Sequence, residues 1–158
     1  MIVGMPTTSF PRYVGDVSGC FVLGMARALA ARGHRIEVIA PEPDRDLEGR
    51  PPWTQPSPGV SVRWVPYARP RALQRTFHRD GAPDNLARDP LAWIGALSWP
   101  FALARAIDEG AARWDVIASH WGVPSGLIAA ARRGRCGHVA FFHSADVAAL
   151  ARVPRVGA

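Results

Sequence analysis

The stretch MIVGMPTTSFPRYVGDVSGCFVLGMARALAARGHRIEVIAP, residues 1–41, decides how the rest of the chain is read. It opens on a short apolar run, Met1 to Met5, that Pro6 stops. A polar loop carrying Gly15 and Gly19 follows. Then FVLGMARALAARGH places Phe21, Leu23, Ala26, Leu29 and Ala30 at helical spacing and ends on Arg32 and Gly33, a C-terminal stop. RIEVIAP alternates, carries β-branched residues and is closed by Pro41, the marks of a strand. The order is therefore strand, glycine loop, helix, strand, which predicts a parallel pairing of the two strands across a helical crossover.

The last third repeats that rhythm. WDVIASH reads as a strand ending on His120, VPSGLIAAARRG as a helix with Pro124 in its first turn and Gly134 at its end, and HVAFFH as a strand ending on His143. Between the two units, recurrent proline from Glu42 to Gly59 excludes a regular helix, and VSVRWVPY alternates as a further strand. Arg69 to about Pro90 is expected to be irregular, and Leu91 to Glu109 helical, with Pro100 kinking or dividing it. These alternations predict one α/β domain over residues 1–158, an open, mainly parallel sheet of order about 3-2-1-4-5 with helices on both faces.

Composition narrows the function. At 48% hydrophobic and 20% charged residues the chain is globular. A formal charge of +6 raises nucleic acid as a partner, but all 19 basic residues are arginine, spread along the chain, and no helix-turn-helix, RNP-like or zinc-finger pattern accompanies them. Nucleic acid is not an expected partner; an anionic small ligand or an acidic membrane surface fits the charge. Cys20 and Cys136 lie far apart without a C-x-x-C, reading as reduced thiols of a cytoplasmic protein. The N-terminus lacks the basic and apolar regions of a secretion signal, and no run of about 18 apolar residues would span a membrane.

In an open parallel sheet, ligands bind beyond the carboxyl ends of the strands, where strand order reverses. For order 3-2-1-4-5 that point lies between the first and fourth strands. The loop GDVSG leaves the first strand, His120 ends the fourth and His143 the fifth, so three polar features converge on one edge. Gly15 and Gly19 let backbone approach a ligand, and the following helix N-terminus suits phosphate. The plainer alternative is capping, with Asp16 or Ser18 at the first helix and Ser144 or Asp146 after the last strand. The loop does not match G-x-G-x-x-G, so a dinucleotide is disfavoured. GVPSG holds its serine one place off the G-x-S-x-G elbow. The scattered histidines predict no metal, and Asp44-Arg45-Asp46, formally a D-x-D, lies in the proline-rich loop.

Taken in order, SFPRYVGDVSGCFVLGMARALAARGHRIEVIAP, GVSVRWVP, WDVIASHW with GLIAAARRG, and HVAFFHSADV resemble the N-terminal, Rossmann-like half of family 4 glycosyltransferases of the GT-B fold, over Met1 to about Leu150. The resemblance implies retaining transfer of a sugar from a nucleotide-diphosphate donor to a sugar, lipid or small-molecule acceptor held mainly by this half, with no other cofactor. It places Gly15, Asp16, Ser18 and Gly19 near donor phosphates and acceptor. His143 is similar to the family's active-site histidine and Asp146 to the acid of its H-G-x-D pattern, with His120 a positioning group for acceptor or structure. Two departures stand out: Gly15-Asp16 replaces paired glycines, and Ser144 stands where glycine often follows the histidine. The family's second domain and its E-x7-E pair are missing, so the chain reads as an N-terminal fragment, inactive alone. A non-catalytic Rossmann-like binding module is the alternative. Finally, Trp93, Trp99 and Phe101, flanked by Arg88 and Arg105, suit either a helix lying on the anionic inner face of a membrane or one buried against the sheet.

Overall fold

The computed structural model of the chain describes residues 1–43, 52–77, 81–143 and 146–147. Five strands, β1 (Ile2–Pro6), β2 (Arg35–Pro41), β3 (Val60–Val65), β4 (Val116–His120) and β5 (Gly137–Phe141), form one sheet of order β3-β2-β1-β4-β5. Every neighbouring pair in it is parallel. The expected order is the one observed, and strand order reverses at the β1/β4 junction.

The two sides of the sheet bury separate cores. Helix α1 (Cys20–Ala30) sets Val22, Leu23 and Ala26 against Val3, Met5, Ile36, Val38 and Val60. On the opposite side, α3 (Ala92–Ala111) and α4 (Leu127–Arg132) bury Trp99, Leu103, Ile107 and Ala129 with Ile39 and Ile117. A fully buried side chain of this size contributes roughly 1.5–3 kcal/mol, which makes these two layers the main source of stability. Trp114 locks the second layer to β1. A Cβ on Gly4 would fall 2.4 Å from its ring and one on Gly110 2.1 Å from it, and its indole N–H donates to Glu37 at 2.8 Å.

Three expectations are corrected. The stretch expected to be irregular contains α2 (Ala82–Arg88), begun by Pro83 and Asp84, both favourable in a first turn although each also signals a turn. Helix α3 runs through Pro100 as one helix of 20 residues, so the proline does not divide it. The hydrogen bond that Pro100 cannot make is offset by the burial of Trp99 and Leu103 on either side of it. Pro124 lies ahead of α4 rather than in its first turn: Gly122–Gly126 form a wide turn with a cis Val123–Pro124 bond, and the helix proper starts at Leu127.

The aromatic segment is buried against the sheet only in part. Trp99 is fully buried, whereas Trp93, Ile94, Leu97 and Phe101 project from α3 into solvent, Phe101 being 78% exposed. Among the described residues no helix is long and apolar enough to cross a membrane.

Candidate functional site

The β1–α1 loop is organised by a carboxylate. Asp16 accepts from the backbone N–H and the Nε–H of Arg12, at 3.0 and 2.6 Å, and from the backbone N–H of Ser18 at 3.0 Å. Burial alone would raise its pKa, but the bonds from Arg12 and Ser18 outweigh that and hold it below the ordinary aspartate value. Both oxygens are thereby occupied. Gly15 is exposed in the turn, while Gly19 is buried with φ of 65°. A Cβ on Gly19 would sit 2.3 Å from the carbonyl oxygen of Ser9, so only glycine fits there. Gly19 leads into α1 with no side-chain cap among the described residues, which leave the partial positive end of that helix without a side-chain acceptor. Ser18 and Ser9 line a small pocket with Phe10, Trp64 and Phe77 beyond the ends of β1, β2 and β3.

The β4 and β5 ends meet in a histidine pair. His120 is fully buried, and its Nδ1 lies 3.2 Å from Nε2 of the half-buried His143, two residues past β5. Burial, and after it the neighbouring His143, push the pKa of His120 down to about 4, so it is neutral near pH 7. His120 therefore stands behind His143, out of direct reach of a ligand. Asp146 accepts from the backbone N–H of Gly122 at 2.8 Å and of His143 at 3.3 Å. The second bond is the back-reaching half of a capping box, and the first ties the loop after β4 to the loop after β5. Capping and a strand-end histidine thus coexist in this short segment. Ser144 lies outside the described residues, as do Asp44 and Asp46.

Two residues that sequence patterning did not single out complete the site. Phe21, counted there in the apolar stripe of α1, is 45% exposed. Its ring lies 4.6 Å from that of His143, joining the start of α1 to the histidine pair. Trp121 has φ of 71° and stands edge-on to His143 at 4.8 Å. The position of Phe21 directly after the glycine loop was a usable signal; a positive φ at tryptophan leaves none in the sequence. Ser125, the serine of GVPSG, is fully buried, which denies it the exposed position of a nucleophile elbow.

A parallel sheet of this order, with an open helix N-terminus facing a strand-end histidine, has the Rossmann-like architecture of the N-terminal half of GT-B glycosyltransferases. The family model described as Glycosyltransferase Family 4 matches residues 19–156, and the chain belongs to that family. Two structures of a sucrose-phosphate synthase from Thermosynechococcus elongatus share the fold. One aligns with a TM-score of 0.60 at 14% identity over 99% of this chain and 37% of that one. The other aligns with a TM-score of 0.54 at 15% identity over 95% of this chain and 67% of that one. Among curated protein sequences, none matches the chain.

Proposed function

We propose that this chain is the acceptor-side half of a retaining glycosyltransferase, moving a sugar from a nucleotide-diphosphate donor to an acceptor bound against its sheet. The observation that carries the reading is the contact of Phe21 with His143, which sets the uncapped start of α1 beside the strand-end histidine at the point where strand order reverses. In the transfer the bond from the anomeric carbon to the diphosphate oxygen breaks, an acceptor oxygen bonds to that carbon on the same face, and the acceptor's hydroxyl proton passes to the departing diphosphate. The departing diphosphate carries the negative charge, which the backbone N–H groups at Gly19 and the α1 N-terminus stabilise. His143 donates to or accepts from the transferred sugar. Asp16 and Asp146 act by shaping the two loops.

The exposed stripe of Trp93, Ile94, Leu97 and Phe101 favours an acceptor collected at an anionic bilayer, with Arg105 at its end and a net charge of +6 behind it. In this reading a second half of the fold supplies the nucleotide site, so the 158 residues do not turn over alone. The test is transfer from a panel of nucleotide sugars by the chain alone and by the chain joined to a nucleotide-binding half. Acceptors are presented free and in anionic vesicles, with NMR of the product's anomeric centre. Turnover by the joined protein alone, with retention and faster on anionic vesicles, is expected. Inversion of configuration, or turnover by the isolated chain, overturns the reading.

A further inference from the structure

The two ring nitrogens that meet at 3.2 Å account for only half of the histidine pair. The planes of the rings are 4° apart. The remaining nitrogen of His120, Nε2, is buried and meets no donor or acceptor among the described residues. The remaining nitrogen of His143, Nδ1, has no hydrogen-bond partner among the described residues and is not among the buried unpartnered atoms. We infer that His120 is a positioning residue that ties up Nε2 of His143, so that Nδ1 is the only ring nitrogen His143 can turn toward a ligand.

The chemistry of the imidazole supports this. A neutral ring offers one N–H and one lone pair, so the two facing nitrogens share a single hydrogen, and whichever ring carries it, Nε2 of His143 is spent. The surroundings hold the arrangement. Phe141 stacks on His120 with centroids 5.0 Å apart, and Phe21 and Trp121 flank His143. Among the described residues the only carboxylate bonded to either histidine, Asp146, holds the backbone N–H of His143 rather than its ring. Burial keeps His120 neutral, which denies the pair a second charge. With Nε2 engaged and the ring walled by aromatics, a sugar or acceptor oxygen meets His143 at Nδ1 alone. That last step rests on the sugar-transfer reading; the assignment of the two nitrogens does not.

The experiment is histidine-selective 15N NMR on the ligand-free chain near neutral pH. A through-hydrogen-bond N–N coupling between His120 Nδ1 and His143 Nε2 is expected, with no such coupling at His143 Nδ1. His120→Leu, which fills the volume without a donor or acceptor, abolishes the coupling and shifts His143 Nε2. His120→Asn, whose amide lies where Nδ1 was, keeps the Nε2 shift of His143 close to that of the unaltered chain. Absence of the coupling when both rings are assigned overturns the inference, as does an Asn variant that matches the Leu variant. If His120→Leu fails to fold, the coupling in the unaltered chain still decides. Because no sugar is present, failure here leaves the transfer reading standing, and failure of transfer leaves the coupling standing.

Discussion

In the β1–α1 loop the carboxylate is used up: Asp16 spends both oxygens on Arg12 and Ser18, and the helix that follows starts on Gly19 with no side-chain cap among the described residues. At the ends of β4 and β5 the reverse holds. His120 and Trp121 bury ring nitrogens that no described residue meets, and His143 keeps one nitrogen unpartnered. One region is a finished scaffold offering N–H groups and a helix dipole, which bind charge without exchanging protons. The other carries unspent side-chain chemistry, which costs stability and is tolerated where function needs it. The β-sheet itself follows the same division. Strand β1 is buried along almost its whole length, whereas β5 at the sheet edge leaves Val139 50% exposed.

Substitutions that separate stability from activity put the division at risk. The largest effect is expected at Gly19→Ala, where a methyl group meets the Ser9 carbonyl at 2.3 Å on a backbone already at positive φ. Strain and overpacking together cost about 3 kcal/mol in denaturant unfolding. Gly15→Ala, also at positive φ but with no atom within 4 Å, is the control and loses about 1 kcal/mol. Equal losses at the two positions would show that the loop is not locked where the contact with Ser9 lies. The next effect belongs to the other region. His143→Ala in the transfer-competent protein lowers kcat/KM by at least about tenfold, about 1.4 kcal/mol, while folding stability falls by about 1 kcal/mol as buried His120 loses the partner of its Nδ1. A folded, fully active variant would remove His143 from the site and leave Asp146's capping as the whole account of the segment.

Much of the fold was legible because it rests on period. Alternation in RIEVIAP and VSVRWVPY, helical spacing in α1 and two βα units in a row imply a parallel, helix-covered sheet, whereas period alone leaves the strand order open. Pro83, Asp84 and Asn85 hid α2, since the residues that start a helix are also those that make turns. The wide turn at Gly122–Gly126 was hidden in the same way, because Pro124 suits a first turn equally well. Within the site, His120 and His143 could be located as polar groups at the ends of apolar strands, but not their 3.2 Å contact or which of them is buried. Phe21 stood out only as part of the apolar stripe of α1, because helical spacing shows which face is apolar, not how far its first turn projects past the sheet. Trp121 depends on a backbone conformation that tryptophan rarely adopts.

The smallest expected effect sharpens the comparison by pH. If Asp16 is purely a loop organiser, Asp16→Asn loses about 1 kcal/mol at neutral pH, because the amide keeps an acceptor for Ser18 but gives up the charge that faces Arg12. The folded pKa of Asp16 lies below its unfolded value, so its contribution is present in full above the unfolded value, about pH 4, and is lost as pH falls through the folded one. The gap between the unaltered protein and the Asn variant should therefore be constant from neutral pH down to about pH 5 and close below about pH 4. Sugar transfer, measured where both proteins are folded, should then change in neither kcat nor its pH profile, since the carboxylate is fully engaged within the loop. A stability gap that ignores pH would mean the charge of Asp16 is not what holds Arg12. A loss of kcat larger than the loss of stability would place Asp16 on the ligand and erase the distinction between a finished loop and an unspent one.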